Sequence, residues 1–263
     1  MFVLVAAYML LSGGQPYVHP IEKLDPFGVS IGNLIGSVSY SFVHIGLKHL
    51  IGNLAVLFLV GAVLEQRIGS GHVLAIYVLA GTFAGLAFAA LFPGTWVVGA
   101  SAAVTGIITA AYVVDIKKAC IALVAGMFLV AMVLFPLTDF ALNALESQKA
   151  GNIAEYSQDI AGIGMALGEI QEKIDAGTAT GEDIARQRQY LEESGAFQQK
   201  AEGEALEKTG IEEGRRTEAT TPVSVHIHVL GILFTLAYLA VLKPKAFQML
   251  RNDVGALKAS VKW

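Results

Sequence analysis

The chain has 263 residues, 54% hydrophobic and only 15% charged, with a mean hydropathy of +0.59. That excludes an ordinary soluble domain and a nucleic-acid-binding one, and it points to a polytopic membrane protein. The net charge of −4 hides an asymmetry: residues 138–222 hold 17 acidic and 8 basic side chains, about −9, which leaves about +5 for the rest.

Taken in chain order, residues 1–11 are apolar but shorter than the ~20 residues a span needs. No Lys or Arg precedes them, as it would in a signal peptide, so they read as a first transmembrane helix, extended by the stretch to Val18 or truncated upstream. A cleaved signal is the alternative. A loop to about Tyr40 carries Pro16, Pro20 and Pro26. The second span is expected over 43–64, closed by Glu65-Gln66-Arg67, and the third over 73–92. Pro93 to Trp96 form a short loop, and the fourth span runs 100–114, ended by Asp115, Lys117 and Lys118. The fifth is 119–137, the sixth 225–242, and a basic tail follows. The 28 glycines support the membrane reading, because small residues let membrane helices approach closely. The single cysteine, Cys120, cannot form an internal disulfide and reads as a small core residue.

The expected fold is therefore an all-α, six-span membrane bundle: 1–137 with five spans, a polar insertion at 138–222, the sixth span at 223–242, and a basic tail at 243–263. Inside the insertion, Ile153, Tyr156, Ile160, Ile163, Leu167, Ile170 and Ile174 recur at alternating spacings of 3 and 4, a heptad seam. Gly177 to Gly181 break it, and 182–208 read as a more polar return helix offering Ile184, Leu191, Phe197 and Leu206. An αα-hairpin follows, with 212–221 as a flexible return. It is either a solvated spacer or a surface for substrate contact or self-association.

Lys and Arg beside membrane spans favour the cytoplasmic side. His49 precedes Arg67 by 18 positions, Ser101 precedes Lys117 by 16, and His228 precedes Lys243 by 15. At ~1.5 Å per residue the three lie about 22–27 Å from the basic ends, so parallel helices bring them to one depth near the outer face. The acidic insertion is then extracytoplasmic. Ionisable groups inside a bilayer are costly and mark function. Ser101, in Gly99-Ala-Ser-Ala-Ala-Val-Thr-Gly106, is either a nucleophile or part of a packing motif. His226 and His228 lie ~200° apart on a helix, so only one faces the serine. His228 has Gly231 and Thr235 on its face and is the better base, with His226 as the alternative. His49 and Asn53, spaced i,i+4, can donate to an oxyanion or belong to a buried network, which His44 joins as an auxiliary. A metal on the histidines is the rival reading, weakened by the absence of Cys or carboxylate nearby. No acid sits at the depth of the base, which favours a Ser-His dyad over a triad.

With these elements in order, the chain resembles the rhomboid intramembrane serine proteases. Gly99-Ala-Ser101 resembles the nucleophile motif, His49-Leu-Ile-Gly-Asn53 the oxyanion motif, Gly61 to Gly69 the GxxxExxxG element, and His228 to Gly231 the base of the final helix. Departures are Ala102 where the family has Gly, Thr105 where many members have an aromatic, and a first loop without the Trp-Arg pair. The resemblance implies cleavage of transmembrane protein substrates with Ser101 and His228 as dyad and His49 and Asn53 at the oxyanion. It implies no cofactor or metal, and an integral, multi-pass protein of the lipid bilayer, expected in a prokaryotic plasma membrane. The alternatives are an inactive rhomboid-like protein that binds membrane helices, and a transporter, for which repeats and charged pathway residues are lacking.

Overall fold

The computed structural model describes residues 1–12, 24–220 and 224–260. Its principal helices are α1 (Phe2–Leu11), α2 (Leu47–Ile68), α3 (Ser70–Leu91), α4 (Ser101–Val114), α5 (Ile116–Asp175), α6 (Gly181–Thr220), α7 (Val225–Leu242) and α8 (Lys245–Ser260). Among the described residues there is no strand, only isolated bridges at Val29–Val97 and Ser30–Asn33. Four helices are long and apolar enough to cross a membrane: α2, α3, α5 and α7. The expected extension of the first span to Val18 lies outside the described residues. The chain divides into two compact units, Met1–Thr138 with Gly214–Trp263, and Asp139–Glu213.

In the first unit, α4 is the central element. Nine of its fourteen residues are buried, Ala102, Ala103, Gly106, Ile107, Ala110 and Ala111 among them, and α2, α3, α5, α7 and α8 all pack against it. Small side chains permit this crowding: a Cβ on Gly106 would stand 2.7 Å from Thr235 Oγ1 and 2.9 Å from the Ala80 Cβ. Fourteen residues span only ~21 Å, less than the ~30 Å hydrocarbon core. One end of α4 must therefore lie below a membrane surface.

The second span departs from its expected bounds by four residues at each end. Val43 and Gly46 are extended, α2 begins at Leu47, and it continues through Arg67 until Gly69, whose φ of 83° ends it. Hydropathy does not separate an extended buried segment such as Val43-His44-Ile45 from a helical one. Arg67 shows why the helix runs on. Its Nε donates to Asp115 Oδ2 at 3.0 Å, its Nη2 donates to the same oxygen, and the Lys118 amide donates to Oδ1 at 3.1 Å, capping α5. Burial opposes ionisation of Asp115, but the Lys118 amide and the Arg67 guanidinium outweigh it and hold the carboxyl below its ordinary range. The contribution is present above the unfolded value near pH 4 and is lost as pH falls through the lowered folded value. Arg67→Ala should lower the thermal midpoint by a few degrees at pH 7, about 2–4 °C per kcal/mol, because it strips a buried carboxylate of its cation. The gap from wild type should shrink in melts near pH 3.

The fifth helix does not stop at Leu137 but runs from Ile116 to Asp175. Pro136 lacks an N–H, and its ring would press on the carbonyl four residues back. The π-helical turn Val130–Leu134 just ahead of it widens the spiral and lets the helix continue. Composition changes at 138 because apolar residues give way to polar ones, and the two compact units divide there, but the helix itself runs on.

Within the second unit, the C-terminal part of α5 and α6 contact each other. Gly177, φ 70°, takes the left-handed position after α5, and the Thr178 amide reaches back to Lys173 O at 2.9 Å. Thr180 and Asp183 then form a reciprocal capping box: Asp183 N donates to Thr180 Oγ1 at 3.1 Å and Thr180 N to Asp183 Oδ2 at 2.8 Å. Tyr156 stacks on Phe197 at 6.1 Å with the Lys200 ammonium over both rings, and Lys149 bridges Glu204 and Glu207 at 2.9 and 2.5 Å. Two expectations are corrected. Leu191 and Leu206 are 58% and 75% exposed, so Phe197 and ion pairs, not these leucines, face the seam. The segment after Lys208 is helical to Thr220 because it is rich in helix formers, and Lys208 pairs with Glu212 one turn on. The basic tail likewise forms a helix, α8.

Candidate active site

Ser101 is the first residue of α4, so its amide has no intrahelical partner. The chain reaches it through an extended segment pinned on two sides. Val97 exchanges both backbone hydrogen bonds with Val29 at 3.1 and 3.2 Å, and the Gly99 amide donates to Tyr40 O at 2.9 Å. Gly99 has φ 122°, and a Cβ there would meet His49 Cε1 at 2.7 Å. Glycine at this position thus serves both the turn and the close approach of the His49 ring.

His49 and Asn53 project from the first two turns of α2. Asn53 is buried, and its Nδ2 lies 3.1 Å from His44 Nε2. The Ala100 amide also points at that nitrogen, at 3.5 Å. Both neighbours are donors, so Nε2 is the acceptor and the proton of the neutral ring sits on Nδ1. His44 is fully buried and packs edge-on against His49, ring centroids 5.2 Å apart. The auxiliary histidine is therefore the direct partner of Asn53. One hydrogen of the Asn53 amide is directed at His44.

α7 approaches α4 through Gly231 and Thr235. A Cβ on Gly231 would stand 2.5 Å from Ala102 O, one residue from Ser101. His228 is half-buried one turn before Gly231. His226 is exposed, with its ring 4.7 Å from that of Phe92. No hydrogen bond joins Ser101 to His228 among the described residues. Thr105 Oγ1 donates to Ser101 O at 2.7 Å, which ties the Ser101 backbone to the next turn.

The three helices run parallel. At one end His49 meets Gly99 and Gly231 meets Ala102; at the other, Arg67 meets Asp115, and Tyr238 Oη lies 2.9 Å from His72 Nδ1. Sequence alone placed Gly99 in a motif but not its contact with His49, and it missed Tyr40, which no motif marks and whose carbonyl holds the Gly99 amide.

A family model described as Rhomboid domain matches residues 32–171, just over half of the chain. The chain belongs to the rhomboid family. Over 72 residues it is 43% identical to Rhomboid-related protein 1 of Caenorhabditis elegans, a stretch covering 27% of this chain and 20% of that protein. No solved structure matches. The rhomboid match includes His44, His49, Asn53 and Ser101 but ends well before α7, so the case for His228 rests on the packing of Gly231 and Thr235. In this rhomboid-family protein, Asn53→Ala should slow turnover by roughly 10²–10³ if the amide stabilises an oxyanion. The loss should fall on kcat and not KM, checked with a fluorogenic transmembrane peptide in proteoliposomes.

Proposed function

We propose that this rhomboid-family chain is an intramembrane serine endopeptidase that cleaves transmembrane proteins, built on six spans with an acidic extracytoplasmic hairpin at 138–222. The observation that carries the reading is the convergence of three elements on one helix end. His44 meets the Ala100 amide, His49 lies against Gly99, and Gly231 lies against Ala102, so all three contacts fall within two residues of Ser101, the first residue of α4. Ser101 Oγ attacks the substrate carbonyl carbon, and His228 takes the hydroxyl proton and passes it to the leaving amine. The oxyanion is met by His49, the Asn53 amide and the Ser101 N–H, with the positive end of the α4 dipole behind it. Water, deprotonated by His228, then hydrolyses the acyl-enzyme. A substrate helix must unwind locally to offer its carbonyl.

The missing Ser101–His228 hydrogen bond favours a second reading, a rhomboid-like protein that binds membrane helices without cutting them, although such bonds often tighten only when substrate arrives. Labelling with a serine-reactive fluorophosphonate separates the two. The protease reading requires modification of the wild type and none of Ser101→Ala; an unlabelled wild type leaves the binding protein. We assign substrate access, not chemistry, to the insertion. Replacing residues 148–216 with a short Gly/Ser linker should preserve labelling of Ser101 while changing which transmembrane substrates are cut. A folded deletion variant that no longer labels would overturn that assignment.

A further inference from the structure

The catalytic reading leaves α8 without a role. Residues 243–263 hold five Lys or Arg against one acid. Ala246 is buried, and Phe247 and Leu250 pack into the same core as Ala110, Val114 and Ala119, so the apolar stripe of this amphipathic helix is covered by protein. Lys245 and Arg251 lie off that stripe and are exposed. α8 contacts α4 and the start of α5, where Lys117 and Lys118 are exposed. Cations in the first turn of a helix oppose its dipole, and the acid that would offset them, Asp115, is engaged by Arg67. Among the described residues, Lys117, Lys118 and Lys245 form no ion pair with a carboxylate.

These cations border surface suited to lipid tails. Val241 and Leu242 are 76% and 56% exposed immediately before Lys243, and Ile121 and Val124 are 70% and 68% exposed one and two turns after Lys117. Pro244 ends the span and turns the chain so that α8 begins at that boundary. A free phosphate would need the charges but not the apolar collar; a phospholipid uses both.

We propose that Lys117, Lys118, Lys243, Lys245 and Arg251 form a binding surface for the headgroups of anionic phospholipids in the cytoplasmic leaflet, and that α8 is docked on the bundle to complete it. The inference needs only membrane insertion, not hydrolysis. Each Lys or Arg at an anionic surface contributes roughly fivefold in affinity, so removing four should weaken retention on the order of a hundredfold or more.

The test uses the full chain in nanodiscs of mixed phosphatidylglycerol and phosphatidylcholine, with retained lipids counted by native mass spectrometry. Wild type should retain phosphatidylglycerol in preference, and a K117Q/K118Q/K245Q/R251Q variant should retain the two lipids in proportion to the mixture. Millimolar inorganic phosphate should not displace the lipid. Equal phosphatidylglycerol retention by the variant overturns the proposal, as does displacement by inorganic phosphate, which would mark a site for the free anion. If the quadruple variant does not fold, K117Q and R251Q made singly should each reduce the preference, and unchanged preference in both also overturns it.

Discussion

Ser101→Ala and His228→Ala should each remove cleavage of a transmembrane substrate almost completely, by roughly 10⁴–10⁶ in kcat, while His226→Ala should keep most of it. Two histidines two positions apart cannot both serve α4. The structure sets Gly231 on the carbonyl of Ala102 and Thr235 on Gly106, so the face carrying His228 is the one turned toward the serine's helix. His226 lies against Phe92 and is exposed. The serine and its base act as a unit, so the Ser101→Ala, His228→Ala double variant should be no slower than either single one. Assays of all four proteins in proteoliposomes decide the matter. Loss of activity in His226→Ala with survival of His228→Ala would reverse the assignment of the base.

Gly231→Ala should cost about 10² in kcat/KM or more, although it adds only one methyl group and changes no reacting side chain. That methyl would stand 2.5 Å from the backbone oxygen of Ala102, and a helix backbone cannot fold away as a flexible side chain can. α7 must therefore retreat from α4, carrying His228 with it, and a displacement near 1 Å is enough for losses of that size. Gly162→Ala is the control. Nothing lies within 4 Å of a methyl there, and alanine is the better helix former by about 1 kcal/mol, so activity should hold. Wild-type turnover in Gly231→Ala would show that close helix approach does not set the catalytic distance.

Much of this molecule is legible in the linear chain because a bilayer leaves few options. Every backbone group in lipid must be satisfied, so apolar segments become helices, and the sixth was bounded at Val225 and Leu242 as the structure has it. The polar side chains inside those segments, His49, Asn53, Ser101 and His228, were visible because each is costly there. The long-range contacts were not visible. Hydropathy read Val43 to Gly46 as part of a helix, whereas that extended stretch buries His44 against Asn53. It also ended a helix near Leu137, where the backbone continues to Asp175, since a change of polarity is not a helix break.

By itself the sequence determined the membrane class, the helical segments, and which residues could carry the chemistry, because hydropathy, spacing and residue type are local properties. The tertiary structure decided which of those residues meet. Gly99 had to adopt φ 122° for the His49 ring to come close, Gly231 had to lack a side chain for α7 to reach Ala102, and Arg67 had to find Asp115 across 48 positions to align the other end. These are contacts between segments distant in the chain, each a matter of a few tenths of an ångström. No periodicity along a single helix encodes them.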